Sequence, residues 1–270
     1  MPISVYALPV LFTLFVWWFS TGAILFLDGL PRRTYRWSFG GATLLLGLAL
    51  FGIFATRAQT SVAAAYVAFG CTIAVWGWQE IAFLTGFVTG SRRTPCPVGA
   101  TGWKRFACAT QTILHHELAL VALGAAIAAL TLGVANQTAL WAFVILWVMR
   151  LSSKLNLFLG VRNLYEEFLP EHLAYLSTYF RRKPLNALFP VSVIVASSAA
   201  ALLWQRMVAQ DATAFDAVQA AFLATLLTLA VVEHLFLVLP LPATALWRWG
   251  LRSHKASAQV EPLRAKAALR

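Results

Sequence analysis

Apolar residues fall into seven runs along the chain, at 5–27, 38–55, 62–88, 109–134, 138–159, 191–207 and 217–239, separated by polar or basic stretches. A helix of about 20 apolar residues crosses the hydrocarbon core of a bilayer and satisfies its own backbone polar groups on the way. The pattern predicts an all-α fold, a polytopic membrane bundle of seven transmembrane helices, with the second and sixth spans short. Gly90, Pro95, Pro97, Gly99 and Gly102 mark the stretch after the third run as a structured turn or hinge. No period of roughly 20–50 residues repeats. Residues 1–242 are therefore expected to form one seven-span domain, and 243–270 a basic cytoplasmic tail, mobile or lying on the membrane surface.

Composition agrees with the pattern. Hydrophobic residues make up 60% of the 270 and charged residues 11%, which argues against a soluble fold. A formal charge of +11 would point to nucleic acid in a soluble chain, but here Lys and Arg lie between the apolar runs, where they set topology. All 21 of them except Arg57 and Arg206 fall on one side of the alternation. By the positive-inside rule the N-terminus faces out and the C-terminus is cytoplasmic. The first run lacks a basic leader and a small-residue cleavage site, so it reads as a retained helix. Cys71, Cys96 and Cys108 form no CxxC pair and are expected to be reduced thiols.

Candidate chemistry lies in the ionisable residues within the apolar runs: Glu80, His115-His116-Glu117 and Glu233-His234. Such groups are costly in a bilayer and are by default paired, proton-relaying or ligand-binding. Counting from the cytoplasmic ends at 1.5 Å per residue puts Glu80 roughly 12 Å deep, and the other two clusters at roughly 8–12 Å. The three therefore share one layer. Arg150 and Lys154, at i and i+4 on the fifth helix, are placed to act as its structural charge partners. The following segment carries Glu166, Glu167 and His172 and is expected to cap the layer at the cytoplasmic surface.

Several accounts of this layer stand side by side. Glu80, Glu117 and Glu233 can form ion pairs that hold the bundle together. Carboxylates and histidines from facing helices also suit a di-iron centre, for which Glu80, His116, Glu117, Glu166, Glu167, His172, Glu233 and His234 supply enough ligands. The Glu-x-x-His spacing of such bundles is absent, and neighbouring residues point about 100° apart on a helix. In a third account His116 or His234 is the axial ligand of a tetrapyrrole. A proton-coupled transporter is disfavoured by the lack of inverted repeats.

Three longer strings carry a resemblance: Trp76-Gly77-Trp78-Gln79-Glu80-Ile81-Ala82-Phe83-Leu84-Thr85-Gly86, His116-Glu117-Leu118-Ala119-Leu120, and Lys154-Leu155-Asn156-Leu157-Phe158-Leu159-Gly160-Val161-Arg162-Asn163 followed by Glu166-Glu167-Phe168-Leu169-Pro170. Together with Arg92-Arg93-Thr94-Pro95-Cys96-Pro97 and His172-Leu173, they resemble the PuhE-type photosynthetic-complex assembly proteins of purple bacteria, over nearly the whole chain to Leu239. The resemblance implies a multi-pass protein of the intracytoplasmic photosynthetic inner membrane. Its expected partners are reaction-centre and light-harvesting subunits or pigment-synthesis proteins, with bacteriochlorophyll or a precursor as the expected ligand. It implies no reaction and no catalytic residues. From the residues, the expected binding site is Glu80, His115, His116, Glu117, Glu233 and His234. The rival from another class is a membrane-bound di-metal oxidase or hydroxylase acting on a tetrapyrrole intermediate.

Overall fold

In a computed structural model, which describes residues 2–254, seven long helices account for the seven apolar runs: α1 (Ser4–Asp28), α2 (Tyr35–Thr56), α3 (Val62–Leu84), α4 (Gly102–Thr131), α5 (Thr138–Leu159), α6 (Leu188–Met207) and α7 (Ala214–Phe236). All seven have the length and hydropathy of membrane spans. The chain is an all-α, multi-pass membrane protein. The second and sixth spans, with 22 and 20 residues, are longer than their apolar runs: α2 continues through flanking Tyr35, Arg36, Trp37 and Thr56, and α6 starts earlier, at Leu188-Phe189-Pro190. Residues 255–270, most of the expected basic tail, lie outside the described residues.

The helix ends follow local chemistry. Thr213 begins α7 with a capping box: its hydroxyl accepts from the Asp216 amide, and the Asp216 carboxylate accepts from the Thr213 amide. Ser61 caps α3 through the Ala64 amide at 3.2 Å. The third run was expected to stay helical to residue 88, but α3 stops at Leu84. Gly86 turns the chain at φ +84°, a conformation that glycine adopts without steric penalty.

α7 is the central helix. Most of its residues are buried, and it packs against α1, α3, α5 and α6. Ala217, Ala220, Ala221 and Ala224 let neighbouring backbones approach closely, where dispersion and shape hold membrane helices together. Phe222 of α7 stacks on Phe69 of α3 at 4.4 Å between ring centres, and Phe12 of α1 and Tyr66 of α3 close over them. A second core, between α2, α3, α4 and α5, gathers Ile53, Val75, Leu120, Ile127 and Phe143.

The two ends of the bundle differ. At one end the connections are short, and Asn136 stitches them together by donating to the Thr56 and Ala64 carbonyls. The other end carries the long loops 85–101, 160–187 and 237–254. There buried Arg105 donates to the Phe158 carbonyl at 3.2 Å and to the Tyr179 carbonyl, with its guanidinium 4.1 Å from the Phe158 ring centre. Asn163 donates to the carbonyls of Phe236 and Leu239, satisfying the end of α7. The segment after α7 turns back along α1. Gly250 meets Gly22 so closely that a Cβ on Gly250 would lie 2.4 Å from the Gly22 carbonyl oxygen.

Candidate functional site

The charged layer is built by five helices. On α5, Arg150 and Lys154 are four residues apart and share a face. Arg150 Nη2 lies 3.0 Å from Glu80 Oε2 on α3, and Lys154 Nζ lies 2.6 Å from Glu117 Oε1 on α4. The Trp147 indole also approaches Glu117, at 3.5 Å. On α7, Glu233 accepts a 2.7 Å hydrogen bond from the Trp17 indole of α1 and lies within electrostatic reach of Arg150.

Three carboxylates thus face two cations, and Glu233 is the one without a salt-bridge partner among the described residues. The Arg150 side chain is 43% exposed, and Glu233 is exposed as well. The layer is therefore open on the side of these two residues, while Glu80 and Glu117 are drawn inward. Fully paired charges need only excellent geometry to persist in a low-dielectric bundle. An additional carboxylate requires another reason to be there.

Uncharged polar groups beside the layer also lack partners. Gln79 is fully buried and neither of its amide atoms is hydrogen-bonded. His116 is 2% exposed, and its Nδ1 is unpartnered. Its ring packs against Phe83 at 4.7 Å, one turn along α3 from Gln79. Each buried polar group left unsatisfied costs about 1–3 kcal/mol, so this corner is adapted to something other than packing alone.

The remaining sequence candidates lie elsewhere. His115 is exposed. His234 is buried on the other side of α7 from this layer's partners: Nδ1 meets the Ala230 carbonyl and Nε2 the Ser152 hydroxyl, both at 2.9 Å. Ser152 in turn contacts Ser192 of α6, so His234 belongs to an α5–α6–α7 hydrogen-bond chain. Glu166 and Glu167 are exposed and line a shallow cavity of about 220 Å³ with Arg162 and Arg182. His172 lines a different cavity. The expected cap over the layer is thus divided between two surface sites. Asn163 and Tyr165 cause the division, because both hydroxyl and amide reach the end of α7 and turn the acids outward.

These positions test the proposed ligands. A di-iron centre does not fit: Glu80 and Glu117 are taken by cations, and no three His, Cys, Asp or Glu side chains converge suitably among the described residues. His234 does not fit as an axial ligand, since both ring nitrogens are engaged. His116 does fit, with a free ring nitrogen, although a macrocycle would have to displace Phe83.

Residues 3–258 match the model of DUF3623, described as a protein of unknown function. The chain belongs to the DUF3623 family. The match takes in all seven helices and the charged layer. A relative from Rhodobacter capsulatus, described as an uncharacterized 30.4 kDa protein in the puhA 5' region, is 41% identical over 251 residues, which covers 91% of each chain. No solved structure matches.

In this DUF3623 chain two functional-looking residues escaped the sequence reading. Asp28, at the end of α1, is 2% exposed, and the His254 ring contacts its Oδ1 at 2.7 Å. An acid closing an apolar run was a visible signal. Trp17 was the other: a tryptophan within an apolar run carries no sign of its partner, yet its indole is the donor to Glu233.

Proposed function

We propose that this DUF3623 protein is an inner-membrane assembly factor for the photosynthetic reaction centre and light-harvesting complex. In this role the charged layer holds bacteriochlorophyll or a precursor during transfer. Two likenesses support the setting: the strings resembling PuhE-type assembly proteins, and the relative named for its position beside puhA. The observation that carries the site is the unbalanced charge. A network that only held helices together would not need an exposed extra carboxylate, Glu233, in a layer whose α3 and α4 members adjoin unsatisfied Gln79 and His116 in the sequence. His116 would hold the central metal of the pigment, Glu233 and Arg150 would receive its polar substituents, and Phe83 would close the site. The positive-inside rule puts the layer in the cytoplasmic leaflet.

The test is a deletion strain of the phototrophic host, complemented with wild type, Glu233→Gln, His116→Phe or the surface variant Glu166→Gln/Glu167→Gln. Reaction-centre absorbance and pigment intermediates are measured together. The deletion should leave normal intermediates and few complete complexes. Glu233→Gln and His116→Phe, at normal protein level, should resemble the deletion, whereas the surface variant should rescue it. Full rescue by both layer variants, or accumulation of an unmodified precursor in the deletion strain, would overturn the proposal.

A further inference from the structure

A second cavity, of about 230 Å³, lies at the loop-rich end, between the α1–α2 turn, the end of α3 and the segment carrying His172. Its wall contains two arginines, Arg32 and Arg93, and no carboxylate. Three further polar atoms in the wall are buried without a hydrogen-bond partner: Thr89 Oγ1, Tyr175 Oη and His172 Nε2. Thr89 is itself 1% exposed. Other polar groups there are already committed. The Thr85 hydroxyl donates to the Ile81 carbonyl and the Tyr35 hydroxyl to the Asp28 carbonyl, both at 2.5 Å.

The backbone holds this wall rigidly. The Thr89 carbonyl accepts from the His116 amide at 2.8 Å, and Gly90 packs directly on the α4 backbone. Arg93 donates to the Gly86 carbonyl at 3.3 Å, which fixes one arginine over the cavity and leaves its other N–H groups free. Gly86 brings the chain so near His172 that a Cβ would lie 3.2 Å from Nε2. Leu84 holds the imidazole through its carbonyl.

We propose that this cavity binds a phosphate-type oxyanion. Two guanidinium groups, one of them giving a single N–H to the Gly86 carbonyl, and two hydroxyl donors with no hydrogen bond of their own converge in a wall that holds no carboxylate. Phosphate oxygens are the acceptors that such a set matches, and arginine recognises them with charge-assisted, paired hydrogen bonds. The site lies at the ends of α1 and α3, the level at which lipid headgroups meet a bundle. A phosphodiester headgroup and free phosphate present the same chemistry to it. His172 reports on occupancy. Burial, then Arg32 and Arg93, hold its pKa below the usual value, with Glu171 opposing them, and a bound anion offsets the two arginines.

The experiment uses the full chain in an uncharged maltoside detergent, with ¹⁵N-labelled histidine. It is titrated separately with inorganic phosphate and with micellar short-chain phosphatidylglycerol. At least one probe should bind saturably and shift the His172 titration upward. Arg32→Gln and Thr89→Val should each weaken binding at least about tenfold, a change of about 1.4 kcal/mol, with the ligand-free melting temperature preserved. Tighter binding of the lipid identifies the headgroup as the source, and equal or tighter binding of phosphate identifies the free ion. Failure of both probes to saturate overturns the proposal. So does unchanged affinity in both variants.

Discussion

Replacing Lys154 with methionine isolates the contribution of the inner ion pair. The ammonium is 2.6 Å from Glu117 Oε1, and both side chains are 21% exposed, so the pair is largely withdrawn from solvent. Methionine keeps most of the stem and removes the charge. Glu117 is then left with the Trp147 indole at 3.5 Å and the more distant field of Arg150. Removing one partner of a buried pair costs about 3–5 kcal/mol. The expected loss is therefore about 3 kcal/mol. Adding Glu117→Gln removes the second charge and should restore most of the stability, giving a large coupling energy. Reversible unfolding in mixed micelles with increasing SDS, followed by tryptophan fluorescence, measures all four members of the cycle. Zero coupling, or a Lys154→Met loss that Glu117→Gln does not relieve, would refute the reasoning.

Three further outcomes are expected. Gly90→Ala puts a Cβ 2.1 Å from the Gln111 carbonyl oxygen. Because backbone cannot step aside as a flexible side chain can, a loss of at least about 1–3 kcal/mol should appear in the same unfolding assay. Asn163→Leu strips donors from the Phe236 and Leu239 carbonyls; about 1–3 kcal/mol should be lost, with faster hydrogen exchange at the end of α7. The Asp28 hydrogen bond raises the His254 pKa above its ordinary 6.5. The stabilisation from this contact is complete below that ordinary value and disappears as pH rises through the higher folded value. The melting-temperature difference between wild type and His254→Gln should accordingly be larger at about pH 6 than at about pH 9.

The hydrophobic pattern carried the number of spans and their approximate places, because bilayer thickness imposes a length that the sequence must show. It could not carry their ends. α4 begins at Gly102, seven positions before its apolar run, since Lys104 and Arg105 are helical without being apolar. Arg105 is buried by partners on α5 and near Tyr179, which no local pattern reveals. For the site, the acids stood out as charges in apolar helices, and Arg150 and Lys154 stood out as cations at helical spacing. Which cation meets which acid depends on helix rotation, and so does the separation of His234 from the layer. Thr89, Tyr175 and Arg32 drew no attention because each is ordinary in a loop; only their convergence makes a cavity.

The most enclosed helix, α7, is preceded in the chain by all the helices that surround it. During synthesis the first six spans must wait in the membrane around a place that is filled only when α7 emerges, and Glu233 arrives with it. The Trp17–Glu233 contact joins residues 216 apart, so it forms at the close of biogenesis. A chain halted before α7 would expose helix faces made for burial and would be a substrate for membrane quality control. The charged layer thus doubles as a completion mark: its last carboxylate is present only in a chain that has finished its bundle.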